Sequence, residues 1–164
     1  MSQQIHVATG RDGKPLVRFY TRGGSRMAQV VIHSGEGSSR KSTTVHAKLS
    51  GRVWVGNNPD PRTVSRRENA ARLVANASAN LKRIQTEIVE LEKLVSRELT
   101  DDEMAMFKRQ GFTTPERIKE VVEKVVIPTL RLHLQSAKVA QDGAKTIQAD
   151  VNEAYPLQVE FVGF

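Results

Sequence analysis

The segment Gly35-Glu36-Gly37-Ser38-Ser39-Arg40-Lys41-Ser42 falls one residue short of the G-x-x-x-x-G-K-[ST] pattern that cradles phosphates. That chemistry needs a second glycine, where this chain has Arg40, and then a helix whose backbone N–H groups face the ligand. Thr43-Thr44-Val45-His46 reads instead as a strand, so nucleotide hydrolysis is not expected. Arg40 and Lys41 at a hairpin tip still suit a phosphate backbone, which asks only for charge and reach.

The other side chains with catalytic potential form no pattern. His6, His33, His46 and His133 lack the close helical or finger spacings of zinc ligands, so no metal and no cofactor is expected. A histidine acts as general base only beside a nucleophile or a paired acid. Ser25, in Gly23-Gly24-Ser25-Arg26, lacks the G-x-S-x-G setting of an activated serine. Asp101, Asp102 and Glu103 are accounted for by helix capping. The chain is read as not an enzyme. Its lack of cysteine excludes disulfides, thiol catalysis and cysteine-based zinc sites.

What remains is cationic. Through residue 67 the chain carries 12 Lys/Arg against Asp12, Glu36 and Asp60, and from residue 68 onward 13 against 15 acids. The net charge of +7 therefore resides in the first part, which points to an acidic partner. The start, Met-Ser-Gln-Gln-Ile-His, has no apolar core, so no signal peptide is expected. No run approaches the ~20 apolar residues of a membrane span. A cytoplasmic setting without membrane contact follows as the expectation.

The elements that must position these charges begin with strands. Ile5, Val7, Leu16–Thr21, Ala28–His33, Thr44–Leu49 and Val53–Val55 are short β-branched or aromatic runs, separated by Gly10–Gly13, Gly23-Gly24, Ser34–Ser39 and Ser50-Gly51. Pro15 suits a strand start, where its missing N–H does least harm. Alternation assigns Ile5, Val7, Val17, Phe19, Val30, Ile32, Val45, Ala47, Leu49, Val53 and Val55 to an apolar face. The opposite face then holds His6, Arg18, Tyr20, Arg22, Gln29, His33, His46, Lys48, Arg52 and Trp54, with Val31 out of place among them. Charge for phosphates and flat rings for bases are what a nucleic-acid-binding sheet requires.

Asn57-Asn58-Pro59-Asp60-Pro61 breaks the pattern. From Val64 to Arg97 the residues Val74, Ala77, Leu81, Ile84, Ile88, Leu91 and Val95 form an unbroken heptad seam, which Leu73 and Leu94 widen. Thr100-Asp101-Asp102-Glu103 is a capping box opening a short helix closed by Gly111. Thr114-Pro115-Glu116 opens another, carrying Ile118, Val121, Val122, Val125 and Val126. Pro128 should kink or end it, with Leu130, Leu134 and Ala137 resuming the face. These helices can cover the seam as a hairpin or three-helix bundle; a coiled-coil homodimer through the 64–97 helix is the alternative. Leu157, Val159 and Phe161 alternate with polar residues as a last strand that can add to the N-terminal sheet, or serve as a docking tail ending at Phe164.

The expected fold is α+β: an antiparallel sheet of four or five strands, a long helix, two or three shorter helices and a short C-terminal strand. Residues 1–58 would form the basic β-rich module and 62–164 the helical module with the C-terminal strand; one compact fold is the alternative. The expected function is non-enzymatic binding of nucleic acid, DNA slightly before RNA. Contacts would come from Arg18, Tyr20, Arg22, Arg40, Lys41, Lys48, Arg52 and Trp54. The rival is a protein-binding or assembly component, either an inhibitor of an acidic protein or a subunit of a larger particle. It would act through the tail and the seam residues Val74, Leu81, Ile84, Ile88, Leu91 and Val95.

Overall fold

A computed structural model describes residues 3–35 and 37–164; Met1, Ser2 and Glu36 lie outside the described residues, and with them the first two positions of the polar start and one position of the Gly35–Ser42 loop. The fold is α+β, as expected. Six strands, β1 (Gln4–His6), β2 (Val17–Arg22), β3 (Ser25–Ser34), β4 (Lys41–Ser50), β5 (Val53–Asn57) and β6 (Gln158–Val162), form one sheet in the order β1-β6-β5-β4-β3-β2. Every pairing is antiparallel except β1 with β6. The last strand thus enters the sheet between β1 and β5 and brings the strand count to six.

Just past β1 the chain reaches the other end of the sheet. Beyond β1, the Ala8 N–H donates to the Val31 carbonyl at 2.8 Å, and the Ala8 carbonyl accepts from the Leu16 N–H at 2.8 Å. Thr9 and Pro15 form an isolated bridge just before β2, which puts Pro15 ahead of the ladder it cannot join. The core is Val7, Ala28, Val30, Ile32, Ala47, Val159 and Phe161.

Two-residue turns set the register of two hairpins. Gly23 and Gly24 both have positive φ (55° and 78°), as a type I′ turn demands. In the next such turn Gly51 has φ 63° and Arg52 follows it. Partners across these hairpins, Arg22 with Ser25 and Ser50 with Val53, share a face. Odd positions of one strand therefore face the same way as even positions of the next.

That rule corrects β5. Leu49 pairs with Trp54 and Ala47 with Gly56, so Trp54 and Gly56 point inward while Val53 and Val55 point outward. The simple alternation fails because it carries odd parity from Leu49 straight through the Gly51-Arg52 turn.

Helices occupy most of the remainder: α1 (Thr63–Val95), α2 (Asp101–Arg109), α3 (Pro115–Val121) and α4 (Ile127–Ala154). The last of these, at 28 residues, exceeds the short helices foreseen. Thr100 accepts from the Glu103 N–H and Glu103 from the Thr100 N–H, completing the capping box. The Thr114 hydroxyl accepts from the Arg117 N–H, with Pro115 in the first helical position. Pro128 ends nothing. A π-helical stretch, Val122–Val126, leads from α3 into α4, and the Thr129 hydroxyl donates to the Val125 carbonyl at 2.7 Å. The widened turn falls just ahead of Pro128, a residue with no N–H to give.

The chain divides into two compact units: one runs to Asn69 and includes Ala149–Phe164, the other is Ala70–Gln148. The division departs from the expected 58/62 boundary because the chain's last strand returns to the sheet. In the first unit Arg67 donates to the Asn152 and Tyr155 carbonyls at 3.3 and 3.1 Å, holding the first turns of α1 to the end of α4. In the second, α1 and α4 run antiparallel as a helical hairpin, linked by Gln141 to Ser78 and Arg131 to Glu92. Ile84, Ile88, Leu94, Ile118, Val122, Ile127 and Ala137 form its core, with Leu81, Leu91 and Val95 packed against it. No helix among the described residues is long and apolar enough to cross a membrane.

Candidate nucleic-acid interface

The outer surface of the sheet is built by β2, β3 and β4. Arg18 lies opposite Gln29, which lies opposite His46; Tyr20 lies opposite Met27, which lies opposite Lys48. Two positions beyond Tyr20 on the same face, Arg22 closes β2 beside the Gly23-Gly24 turn. Arg18, Tyr20, Arg22 and Lys48 thus share one face, with His46 among them. The Tyr20 hydroxyl and His46 Nδ1 are hydrogen-bonded at 2.8 Å, and the rings meet edge to face with centroids 5.8 Å apart. This contact fixes the Tyr20 ring between the cations.

The other expected contacts lie elsewhere. Arg52 is on the β4–β5 turn, away from the strands. Arg40 follows a 3-10 turn, Gly37–Ser39, and Lys41 opens a strand, not a helix, so the loop cannot act as a phosphate cradle of the nucleotide-hydrolase kind. Lys41 pairs with Ser34 and lines a cavity of about 730 Å³ together with Ile5, Ile32, His33 and Arg62. Trp54, expected among the outer cations, faces inward, as its register requires.

Trp54 has instead joined two other rings at one end of the sheet. Its centroid lies 5.6 Å from Phe19 and 5.6 Å from Phe164, and Phe19 and Phe164 are 6.0 Å apart. The planes are inclined by 40–46°, so the rings form an open triangle. Phe19 remains 59 % exposed. A cleft of about 420 Å³ opens beside them, lined also by Tyr20, Thr21, Arg26 and Met27. Phe19, Arg26 and Phe164 were not foreseen as site residues. The available signal was Gly51: a two-residue turn there places Trp54 on the face that holds Phe19.

Charge pairing separates this region from the rest. Among the described residues, Arg18, Arg22, Arg26, Arg40, Lys41, Lys48 and Arg52 take part in no ion pair, whereas six pairs occur from Asp60 onward. Arg62 shows the contrast. It grips Asp60 with two guanidinium bonds of 3.1 and 2.9 Å and lies 5.5 Å from the centre of the Tyr155 ring. Its side-chain bonds, then its backbone N–H, hold the Asp60 carboxyl below the usual carboxylate range.

Two of the histidines are hydrogen-bonded to hydroxyl groups. His33 is bonded to Ser42 at 2.9 Å and His46 to Tyr20. No group of three or more His, Asp or Glu placed to hold a metal ion occurs among the described residues. Comparison with protein-family models, with curated proteins and with solved structures finds no match to this chain.

Proposed function

We propose that this chain is a non-enzymatic nucleic-acid-binding protein whose affinity is dominated by phosphate contacts. The observation that carries the reading is one sheet face bearing Arg18, Arg22 and Lys48 with no carboxylate partner among the described residues, and Tyr20 fixed between them. Cations spared from intramolecular pairing lose nothing when they meet a phosphate, and they release condensed counterions as they do so. DNA is preferred slightly over RNA. The protein is read as cytoplasmic.

The alternative, an assembly component, has lost most of its surface. Its seam residues from Val74 to Val95 are half-buried or buried, and those from Leu81 onward pack in the core with α3 and α4. The C-terminal tail is a strand of the sheet. What still favours assembly is an exposed apolar stripe on the last helical stretch, Val125, Leu132, Val139 and Ile147.

The test is fluorescence anisotropy with labelled single- and double-stranded DNA and RNA from low to physiological salt. Each phosphate contact contributes about 0.7–0.9 to the slope of log K against log salt. Replacing both Arg18 and Arg22 by Ala should therefore flatten the slope by roughly 1.4–1.8. No binding by the unaltered protein at low salt would overturn the reading.

A further inference from the structure

We infer that the open triangle of Phe19, Trp54 and Phe164 receives an unstacked nucleobase, so that the ligand is single-stranded nucleic acid. This rests on the nucleic-acid reading and deepens it. Three features support the inference.

The first is the form of the ring cluster. Three tilted rings 5.6–6.0 Å apart leave ring surface facing the 420 Å³ cleft, whose size falls in the ~300–1,000 Å³ range of small-molecule sites. The second is chemical. Arg26 lines the same cleft, pairs with no carboxylate among the described residues, and offers a planar guanidinium able to stack on a base or bond its edge. The third is charge. Arg22 ends β2 beside its tight turn and Arg52 lies on the turn after β4; the two strands run in the same direction, so both residues flank the same end of the sheet. An anionic chain is the occupant that complements rings framed by unpaired cations.

Stacking requires the face of a base. In a duplex each base face is covered by its neighbours and only edges are offered in the grooves, so a site made of ring faces selects a base already out of the stack. Duplex would meet the outer cations alone. The sheet would thus hold phosphates on its outer surface and a base at its end.

The test uses the whole chain and labelled strands of about a dozen nucleotides. Four ligands are compared: single-stranded DNA, the same sequence in RNA, its duplex, and an abasic strand of equal phosphate number. Trp54, the chain's one tryptophan, supplies a second signal. The expected result is quenching of Trp54 by the base-bearing strands and tighter binding of these than of the duplex or the abasic strand. The DNA and RNA arms report which sugar is preferred. Phe19→Ala should weaken single-strand binding roughly 5- to 100-fold with the salt slope unchanged, because stacking is lost and no phosphate contact is. Phe19→Tyr should restore it. Phe19 is mostly exposed, so its truncation spares the core.

Equal binding of all four ligands without quenching would overturn the base site and leave the phosphate reading standing. Failure of every ligand to bind at low salt would overturn both. Quenching by an uncharged apolar peptide and not by the oligonucleotides would assign the rings to a protein partner and overturn the inference.

Discussion

Gly56 offers the sharpest test of the architecture. A methyl group built there would lie 2.6 Å from the His46 carbonyl oxygen, 2.9 Å from Phe161 Cε2 and 3.3 Å from the Ala47 Cα. Two of those three atoms are backbone of the neighbouring strand, which cannot swing aside, and the third belongs to a ring with 2 % exposure. Overpacking of a core costs about 1–3 kcal/mol. With backbone on one side and a buried ring on the other, Gly56→Ala should fall at the upper end, about 3 kcal/mol. For a chain of this length that loss lowers the melting midpoint by roughly 6–12 °C. Urea titration followed by Trp54 fluorescence, which reports on the sheet, and by far-UV ellipticity, which reports on the helices, measures the effect. Gly143→Ala is the matched control: nothing lies within 4 Å of its added carbon, and it sits inside α4, where Ala is favoured over Gly by about 1 kcal/mol. One substitution should destabilise and the other stabilise. A Gly56→Ala protein within about 0.5 kcal/mol of the parent would refute the inward placement of Gly56, and with it the register that turns Trp54 toward Phe19 and Phe164.

Three further outcomes are expected in the helical unit. The Arg97 side chain, 2.6 Å from Glu103, and then the Thr100 N–H lower the Glu103 carboxyl to about 2. A carboxyl held below its unfolded value of 4.5 adds stability that is fully present above that pH and is lost as pH falls through about 2. An NMR titration of Glu103 should therefore show a midpoint near the lower value, and one near 4.5 would contradict the capping-box geometry. Ile118, at 1 % exposure, lies in the core with Ile84 and Ile88, so Ile118→Ala should cost about 2–5 kcal/mol by urea titration. Val139→Ala, at a site 70 % exposed, should stay within about 0.5 kcal/mol of the parent.

What the sequence made legible was local. Gly23-Gly24 marked a two-residue hairpin, Thr100 with Glu103 a helix start, and Thr114-Pro115 another, because each depends on a few adjacent residues and a backbone conformation they alone favour. Arg18, Tyr20 and Arg22 were legible as one face for the same reason: alternation within a single strand is not interrupted. Errors entered where information had to pass through a turn or across the chain. Val53 and Val55 looked inward because alternation was carried through Gly51-Arg52 without the change of parity that a two-residue loop imposes. The pairing of β6 with β1 and β5 joins residues about 100 or more apart, and no local period encodes it. Pro128 signalled a disturbance of the helix, which takes the form of the π-helical stretch Val122–Val126 just ahead of it, but not what that disturbance would be.

The candidate base site follows from the same packing constraint that made it hard to foresee. Ala28, Ala47 and Gly56 form a row of small residues on the inner face of β3, β4 and β5. Phe161 occupies the space above Gly56, an arrangement in which a ring on one strand covers a glycine on the next. Phe161, Val30 and Val159 are fully buried in that interior. Phe19 and Trp54 have inward-facing positions in the register, yet their rings gather at the end of the sheet with Phe164. Small residues within and rings at the end are therefore one arrangement. A change such as Gly56→Ala, made on the inner face and away from β2, should disturb the proposed base stacking at Trp54 while leaving the proposed phosphate contacts of Arg18 and Arg22 intact.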